Sequence, residues 1–210
     1  QVGGNPDDFY FLRSGKELSP DGQWYVYTAD ADQLGVNELY SVRVDGSAPP
    51  VRLMAMPFDR DVYDFRIAPD SSRVVFRTSS PFFLEVHSVP MDGSAPAVLL
   101  AERAEFWDLN VGYDITPDSS RVLVAARLDD VNRVELFSRV IDGSAPGVKL
   151  SGPMVSGGDV DSYSGSQFKI TPDGSRVVYF ADQDRDNVIE LYVSFLGPPP
   201  KVARPPRPPR

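Results

Sequence analysis

Short runs in which neighbouring side chains alternate between two kinds of surroundings recur along the whole chain, with the period of a β-strand. Gln23 to Ala29 reads this way, with Trp24 and Val26 set against Tyr25 and Tyr27, and Glu38 to Val44 repeats it after a polar loop. Arg73 to Arg77, Arg121 to Ala125 and Arg176 to Phe180 are sisters of the first run; Leu84 to Val89, Val134 to Val140 and Ile189 to Phe195 are sisters of the second. A further run follows each pair at Pro50 to Met54, Ala97 to Leu100, Gly147 to Leu150 and, in degraded form, Pro200 to Ala203. No long window carries apolar residues at helical spacing, so the pattern predicts an all-β chain.

Two turn signals punctuate these runs in fixed order. Pro20-Asp21, Pro69-Asp70, Pro117-Asp118 and Pro172-Asp173 lie roughly fifty residues apart, and Asp-Gly-Ser-Ala-Pro follows at Asp45, Asp92 and Asp142 with the same period. In Ser19-Pro20-Asp21-Gly22 proline presets φ for the second place of a type I turn and glycine suits the fourth. Asp45-Gly46 predicts a two-residue hairpin turn with positive φ at both central positions. Two independent marks sharing one period predict tandem four-stranded antiparallel units, each too small to bury its faces alone.

The phrases Thr171 to Tyr179 (Thr-Pro-Asp-Gly-Ser-Arg-Val-Val-Tyr) and Glu38 to Val42 (Glu-Leu-Tyr-Ser-Val), with Asp-Gly-Ser-Ala-Pro, resemble the WD-like repeats of TolB-type β-propellers over nearly all of residues 5–203. The resemblance implies that each unit is one blade: about 5–56, 57–103, 104–152 and 153–203, followed by a basic Pro-rich tail at 204–210. Such repeats serve periplasmic scaffolds, the gating domains of oligopeptidases and other secreted proteins, so it implies an extracytoplasmic location, periplasmic, cell-surface or secreted. Four blades are few for this family. Either they close a four-bladed ring, or another chain completes a larger ring or array, or the sequence is a piece of a longer protein.

Composition narrows the class of partner. With 41% hydrophobic and 24% charged residues the chain has an ordinary globular balance, and no apolar stretch approaches the length of a membrane span. Cysteine is absent, which excludes disulfides and zinc-thiolate sites and fits an exported protein. A net charge of −9 argues against nucleic acid as a partner. The tail reverses the sign: Lys201, Arg204, Arg207 and Arg210 stand among prolines with no acid between them. Such an extended basic arm reads as a contact for an acidic neighbouring subunit or an anionic envelope surface, or as a plain spacer.

Candidate chemistry is sparse. His87 is the only histidine, and it occupies a strand position that Tyr40 and Phe137 fill in sister units, so the sequence offers no catalytic residues and predicts no enzyme. Asp182, Asp184 and Asp186 alternate along one loop, a spacing from which carboxylates converge on a hard cation such as calcium; turn capping and loop solubility explain the same residues without a metal. No other cofactor is implied. Tyr10, Tyr63, Trp107 and Tyr163 recur just before the first strand of each unit, either as an exposed ring for stacking a ligand or as packing between blades. The combined expectation is a non-catalytic secreted propeller whose partner is protein, copies of itself included. The alternative is a glycan- or peptide-binding or enzyme-associated propeller of a larger secreted hydrolase.

Overall fold

The computed structural model describes residues 15–32, 34–57, 60–79, 83–104, 112–130, 132–160 and 168–197. They form four antiparallel sheets. The first holds β1 (Lys16–Leu18), β2 (Trp24–Ala29), β3 (Glu38–Arg43) and β4 (Val51–Met54); the second holds β5 (Asp61–Ile67), β6 (Arg73–Ser79), β7 (Phe83–Pro90) and β8 (Val98–Ala104). β9 (Tyr113–Ile115), β10 (Arg121–Ala126), β11 (Glu135–Val140) and β12 (Val148–Lys149) make the third, and β13 (Phe168–Ile170), β14 (Arg176–Ala181) and β15 (Glu190–Phe195) make the fourth. Order in space follows order in sequence within every sheet, as short turns between strands demand. The all-β repeat expectation is met. The fourth strand expected at Pro200 to Ala203 lies outside the described residues.

Register is common to the sheets. Ala29 faces Glu38, Thr78 faces Glu85, Ala126 faces Glu135 and Ala181 faces Glu190, so each third strand carries a glutamate at or near its start opposite a small residue. Because side chains alternate across a strand, this shared register gives every sheet one face toward its predecessor and one toward its successor.

Three apolar clusters fill the junctions. Val26, Leu39 and Leu53 of the first sheet meet Val74 and Phe76 of the second; Val75 and Val86 of the second meet Val122 and Val124 of the third. Leu123, Ala125 and Leu136 of the third meet Val177, Tyr179 and Ala181 of the fourth. Each sheet buries its faces only against neighbours, which is why no unit supplies a core by itself. None of these clusters joins the fourth sheet to the first.

The Pro-Asp turns are built as the sequence predicts. The N–H of Gly22 donates to the Ser19 carbonyl at 2.8 Å, and Ser71, Ser119 and Gly174 close the sister turns at the same distance. The fourth place has positive φ in all of them: 71° at Gly22, 62° at Ser71, 59° at Ser119 and 67° at Gly174. Two serines thus sit where glycine is easier, and their hydroxyls show the compensation. Ser71 Oγ accepts the N–H of Asp21 at 3.1 Å, and Ser119 Oγ accepts that of Asp70 at 3.0 Å, tying each turn to the next blade's turn. Within the turns, the Asp173 carboxylate accepts the Thr171 hydroxyl, the Ser175 N–H and the Ser175 hydroxyl, which hold its pKa down to about 2.

The Asp-Gly turns depart from expectation. Gly46, Gly93 and Gly143 have positive φ, but Asp45, Asp92 and Asp142 do not. Gly46 N–H bonds to the Arg43 carbonyl at 3.1 Å, so the turn centres on Val44-Asp45, one residue earlier than predicted, with glycine in the fourth place. The cause is the aspartate side chain: Asp45 Oδ1 takes the N–H of Ser47 at 3.0 Å, as Asp92 and Asp142 do for Ser94 and Ser144, and this local bond favours right-handed backbone at the acid.

Candidate functional site

Repeat-equivalent positions reveal where the packing stops. On the successor face, Leu39, Val86 and Leu136 occupy one position of the third strand and all are 0% exposed, whereas Leu191, their counterpart in the fourth sheet, is 59% exposed. Val193 and Phe195 beside it, and Phe180 across the pair, are exposed as well. Register pairs Val178 with Val193 and Phe180 with Leu191, so these side chains form one continuous apolar face. Arg176 lies over one end of it, its guanidinium 5.5 Å from the Phe195 ring centre.

The predecessor face of the first sheet shows the complementary defect. Val74, Val122 and Val177 are fully buried at the position where Tyr25 is half-exposed, and Phe76, Val124 and Tyr179 are buried where Tyr27 is half-exposed. Tyr25 and Tyr27 stack at 6.1 Å between ring centres, and Tyr27 and Tyr40 at 5.6 Å. An apolar sheet face exposed at one end, and at the other a face on which Tyr25 and Tyr27 stay partly exposed beside the buried Tyr40, are surfaces that proteins seldom leave unused.

A second repeated feature is polar. Glu38, Glu85 and Glu135 are buried at the head of their strands, and each carries a cation: Arg52 at 3.3 Å, Arg60 in short contact, and Lys149 at 2.9 Å. The residue two places on also reaches the carboxylate. Tyr40 donates to Glu38 Oε2 at 3.0 Å, on the oxygen that Arg52 leaves free, His87 Nε2 meets Glu85 Oε2, the oxygen that Arg60 also contacts, at 2.9 Å, and Tyr192 donates to Glu190 at 3.1 Å. Phe137 has nothing to offer, and Glu135 Oε2 is buried without a hydrogen bond. A carboxylate and an aromatic at i and i+2 of every third strand was a signal visible in the sequence and unread there.

His87 fills the slot expected from its register, stacked on Phe76 at 5.3 Å. Burial lowers its pKa and outweighs the opposing pull of Glu85. Burial also works to raise Glu85, but the hydrogen bonds from His87 and Arg60 prevail and hold it below the ordinary value. The group is a satisfied core cluster completed by Thr78, whose hydroxyl reaches Glu85 at 3.2 Å.

The three aspartates of the calcium expectation have separate partners. Asp182 is buried, with Oδ1 accepting the Asp159 N–H and Oδ2 the Asn187 N–H, so both oxygens serve the backbone. Asp184 turns to the Tyr192 hydroxyl, and Asp186 lies against Gly157. Three carboxylates spaced to converge are instead drawn to three neighbours, and among the described residues no cluster of His, Cys, Asp or Glu is arranged to hold a metal. Tyr63 lies within β5 rather than before it, and Arg77 stacks 4.9 Å from its ring. That guanidinium also pairs with Asp64, which the Tyr113 hydroxyl reaches at 3.1 Å. Tyr63 is half-buried beside this cluster. Tyr10, Trp107 and Tyr163, and the tail cations Lys201, Arg204, Arg207 and Arg210, lie outside the described residues. The first strands β1, β5 and β9 border a cleft of about 470 Å³ that includes Lys16, Arg66, Asp114 and Tyr113.

No family model and no curated protein matches this sequence. Solved structures do. A prolyl endopeptidase aligns with 88% of the chain at a TM-score of 0.57 and 12% identity, the chain covering 28% of that protein. Oligopeptidase B from Trypanosoma brucei gives the same coverage and score at 13% identity, with 25% of its length spanned. TolB from Acinetobacter baumannii is similar over 87% of the chain at a TM-score of 0.49 and 17% identity, with 40% of its length spanned. At these identities the likeness is one of fold: an all-β set of four propeller blades spanning less than half of each of these structures.

Proposed function

We propose that this chain is a non-catalytic propeller module that works by protein contact, self-assembly included, through the open face of its fourth sheet. One observation carries the reading: Leu191 is 59% exposed at a position that is 0% exposed in each of the other three sheets. An apolar sheet face of this kind is paired with another sheet three times within the chain, so its natural occupant is a further sheet of protein. An extracytoplasmic location belongs to the reading through the resemblance to secreted TolB-type repeats.

Light scattering across concentration and salt tests it. The expected result is a mass that rises above 23.1 kDa with concentration and returns to the monomer value in Leu191→Asp, whose melting midpoint stays close to wild type because the site is on the surface. A wild-type chain fixed at 23.1 kDa under all conditions overturns the self-assembly part. The cleft between β1, β5 and β9, with cations and carboxylates on its walls, favours a second reading, a peptide-binding propeller domain of a larger hydrolase. Peptide binding by the chain that weakens in a folded Arg66→Ala variant decides for it.

A further inference from the structure

The junction between the third and fourth sheets has a particular chemistry. Leu123 and Leu136 of the third sheet pack against Tyr179, with Tyr192 at the edge of the same cluster, and Gly174 stands at the turn where the earlier junctions have the clasping serines. Each of these residues has a counterpart at the chain's two open faces. Val178 and Leu191 are the repeat equivalents of Leu123 and Leu136 on the successor face. Tyr27 and Tyr40 are the equivalents of Tyr179 and Tyr192, paired with each other across the strands as those two are. Gly22 is the equivalent of Gly174, with positive φ in both.

The apolar face that the third sheet lays on the fourth thus has its equivalent in the exposed Leu191 and Val193 with Val178 beside them, and the face that receives it has its equivalent in the half-exposed Tyr25 and Tyr27. The same tyrosine pair, stacked at 5.6 Å, stands in both places, Tyr179 on Tyr192 and Tyr27 on Tyr40, with Tyr40 buried beside Tyr27. Aliphatic side chains laid on tyrosine rings bury apolar area on both sides, and the third-strand tyrosine of each pair already has its hydroxyl bonded, Tyr40 to Glu38 and Tyr192 to Glu190.

We propose that the fourth sheet docks on the first sheet of a second copy of this chain, with Val178, Leu191 and Val193 laid on Tyr25 and Tyr27, head to tail. The inference rests on the contact reading above and names the partner for it. Such an interface is heterologous: every copy uses one face to give and a different face to receive, so copies close into a ring or continue as an array. A two-fold dimer of fourth sheets, by contrast, leaves the tyrosine face idle.

Complementation between half-disabled copies tests the geometry. Leu191→Asp disables the giving face; Tyr25→Glu disables the receiving face at a half-exposed position, with Tyr27→Asp as a second variant should Tyr25→Glu prove too mild. Each variant is first shown to melt like the wild type. In sedimentation, each alone is expected to remain monomeric at concentrations at least tenfold above those at which wild type associates. Mixed in equal amounts they are expected to form a particle of twice 23.1 kDa, because each supplies the face the other has lost. A mixture that stays monomeric overturns the head-to-tail proposal. Association blocked by Leu191→Asp but untouched by both tyrosine variants also overturns it, while leaving the contact reading standing. A wild type that never associates overturns both.

Discussion

Phe137→Tyr is expected to stabilise the protein, because it supplies a hydrogen bond that the buried Glu135 carboxylate lacks. Glu135 is 3% exposed; Lys149 occupies Oε1 at 2.9 Å, and Oε2 is buried with no partner. The first sheet contains the repaired version of the same site, with Tyr40 at Phe137's register and its hydroxyl 3.0 Å from Glu38 Oε2. That hydroxyl's pKa is pushed up to about 12, by burial first and by Glu38 next, so it remains a donor at neutral pH. A hydrogen bond to a charged acceptor contributes about 1.5 to 3 kcal/mol. Fitting one more oxygen beside a buried ring costs about 1 kcal/mol. The difference is a gain of about 1 kcal/mol, or a rise in melting midpoint of about 2 to 4 °C for a chain of this size. Urea and thermal unfolding of wild type, Phe137→Tyr and the reverse variant Tyr40→Phe measure it, the last being expected to lose about 1 to 2 kcal/mol. An unchanged or lowered midpoint in Phe137→Tyr, alongside a clear loss in Tyr40→Phe, refutes the reasoning: the third-sheet carboxylate would then have no need that a hydroxyl can meet.

Three further outcomes follow from the same geometry. Ser71→Ala keeps a side chain at φ 62° and removes the clasp to Asp21, so urea unfolding should show a loss of about 1 kcal/mol, whereas Ser71→Gly relieves the backbone and should stay within about 0.5 kcal/mol of wild type; equal losses contradict the compensation. Leu136→Ala should cost about 2 to 5 kcal/mol and Leu191→Ala, measured on dilute monomer, less than about 1 kcal/mol, although the two leucines hold the same repeat position; a large loss at Leu191 means that its face is covered. His87 has a folded pKa below its ordinary 6.5, so the unfolded chain binds more protons just under that value; its contribution is complete above pH 6.5 and is lost as pH falls toward the folded value. Melting wild type and His87→Tyr, which copies Tyr40, from about pH 7.5 to 5 should show wild type falling away on the acid side; parallel profiles refute the assignment.

Much of this was legible residue by residue. The Pro-Asp turns form where proline and aspartate specify them, and the paired second and third strands lie within a residue or two of the runs that alternation marks, because both signals act over a few neighbouring positions. The Asp-Gly turn slipped by one residue since the aspartate's own side chain competes for a nearby N–H, as Asp45 does with Ser47. Alternating aspartates read as a cation loop until the fold supplied better partners: Asp182 is taken by the N–H groups of Asp159 and Asn187, the first of them 23 residues away in sequence. The glutamate-to-aromatic pairing lay in plain view at Glu38, Glu85, Glu135 and Glu190, yet a carboxylate opening a strand looks like a solvated end until another sheet covers it.

By itself, then, the sequence determined the units: their number, their paired strands and their Pro-Asp turns, all of which are set by short-range preferences repeated at a fixed period. It could not determine which copies of one position are buried. Leu136 and Leu191 each follow a glutamate and precede an aromatic in the third strand of their sheets, and nothing local separates them. One is 0% exposed and the other 59%, because burial in a stack of sheets is a property of the neighbour, and only the tertiary structure says that the third sheet has one on that side while the fourth presents its apolar face outward.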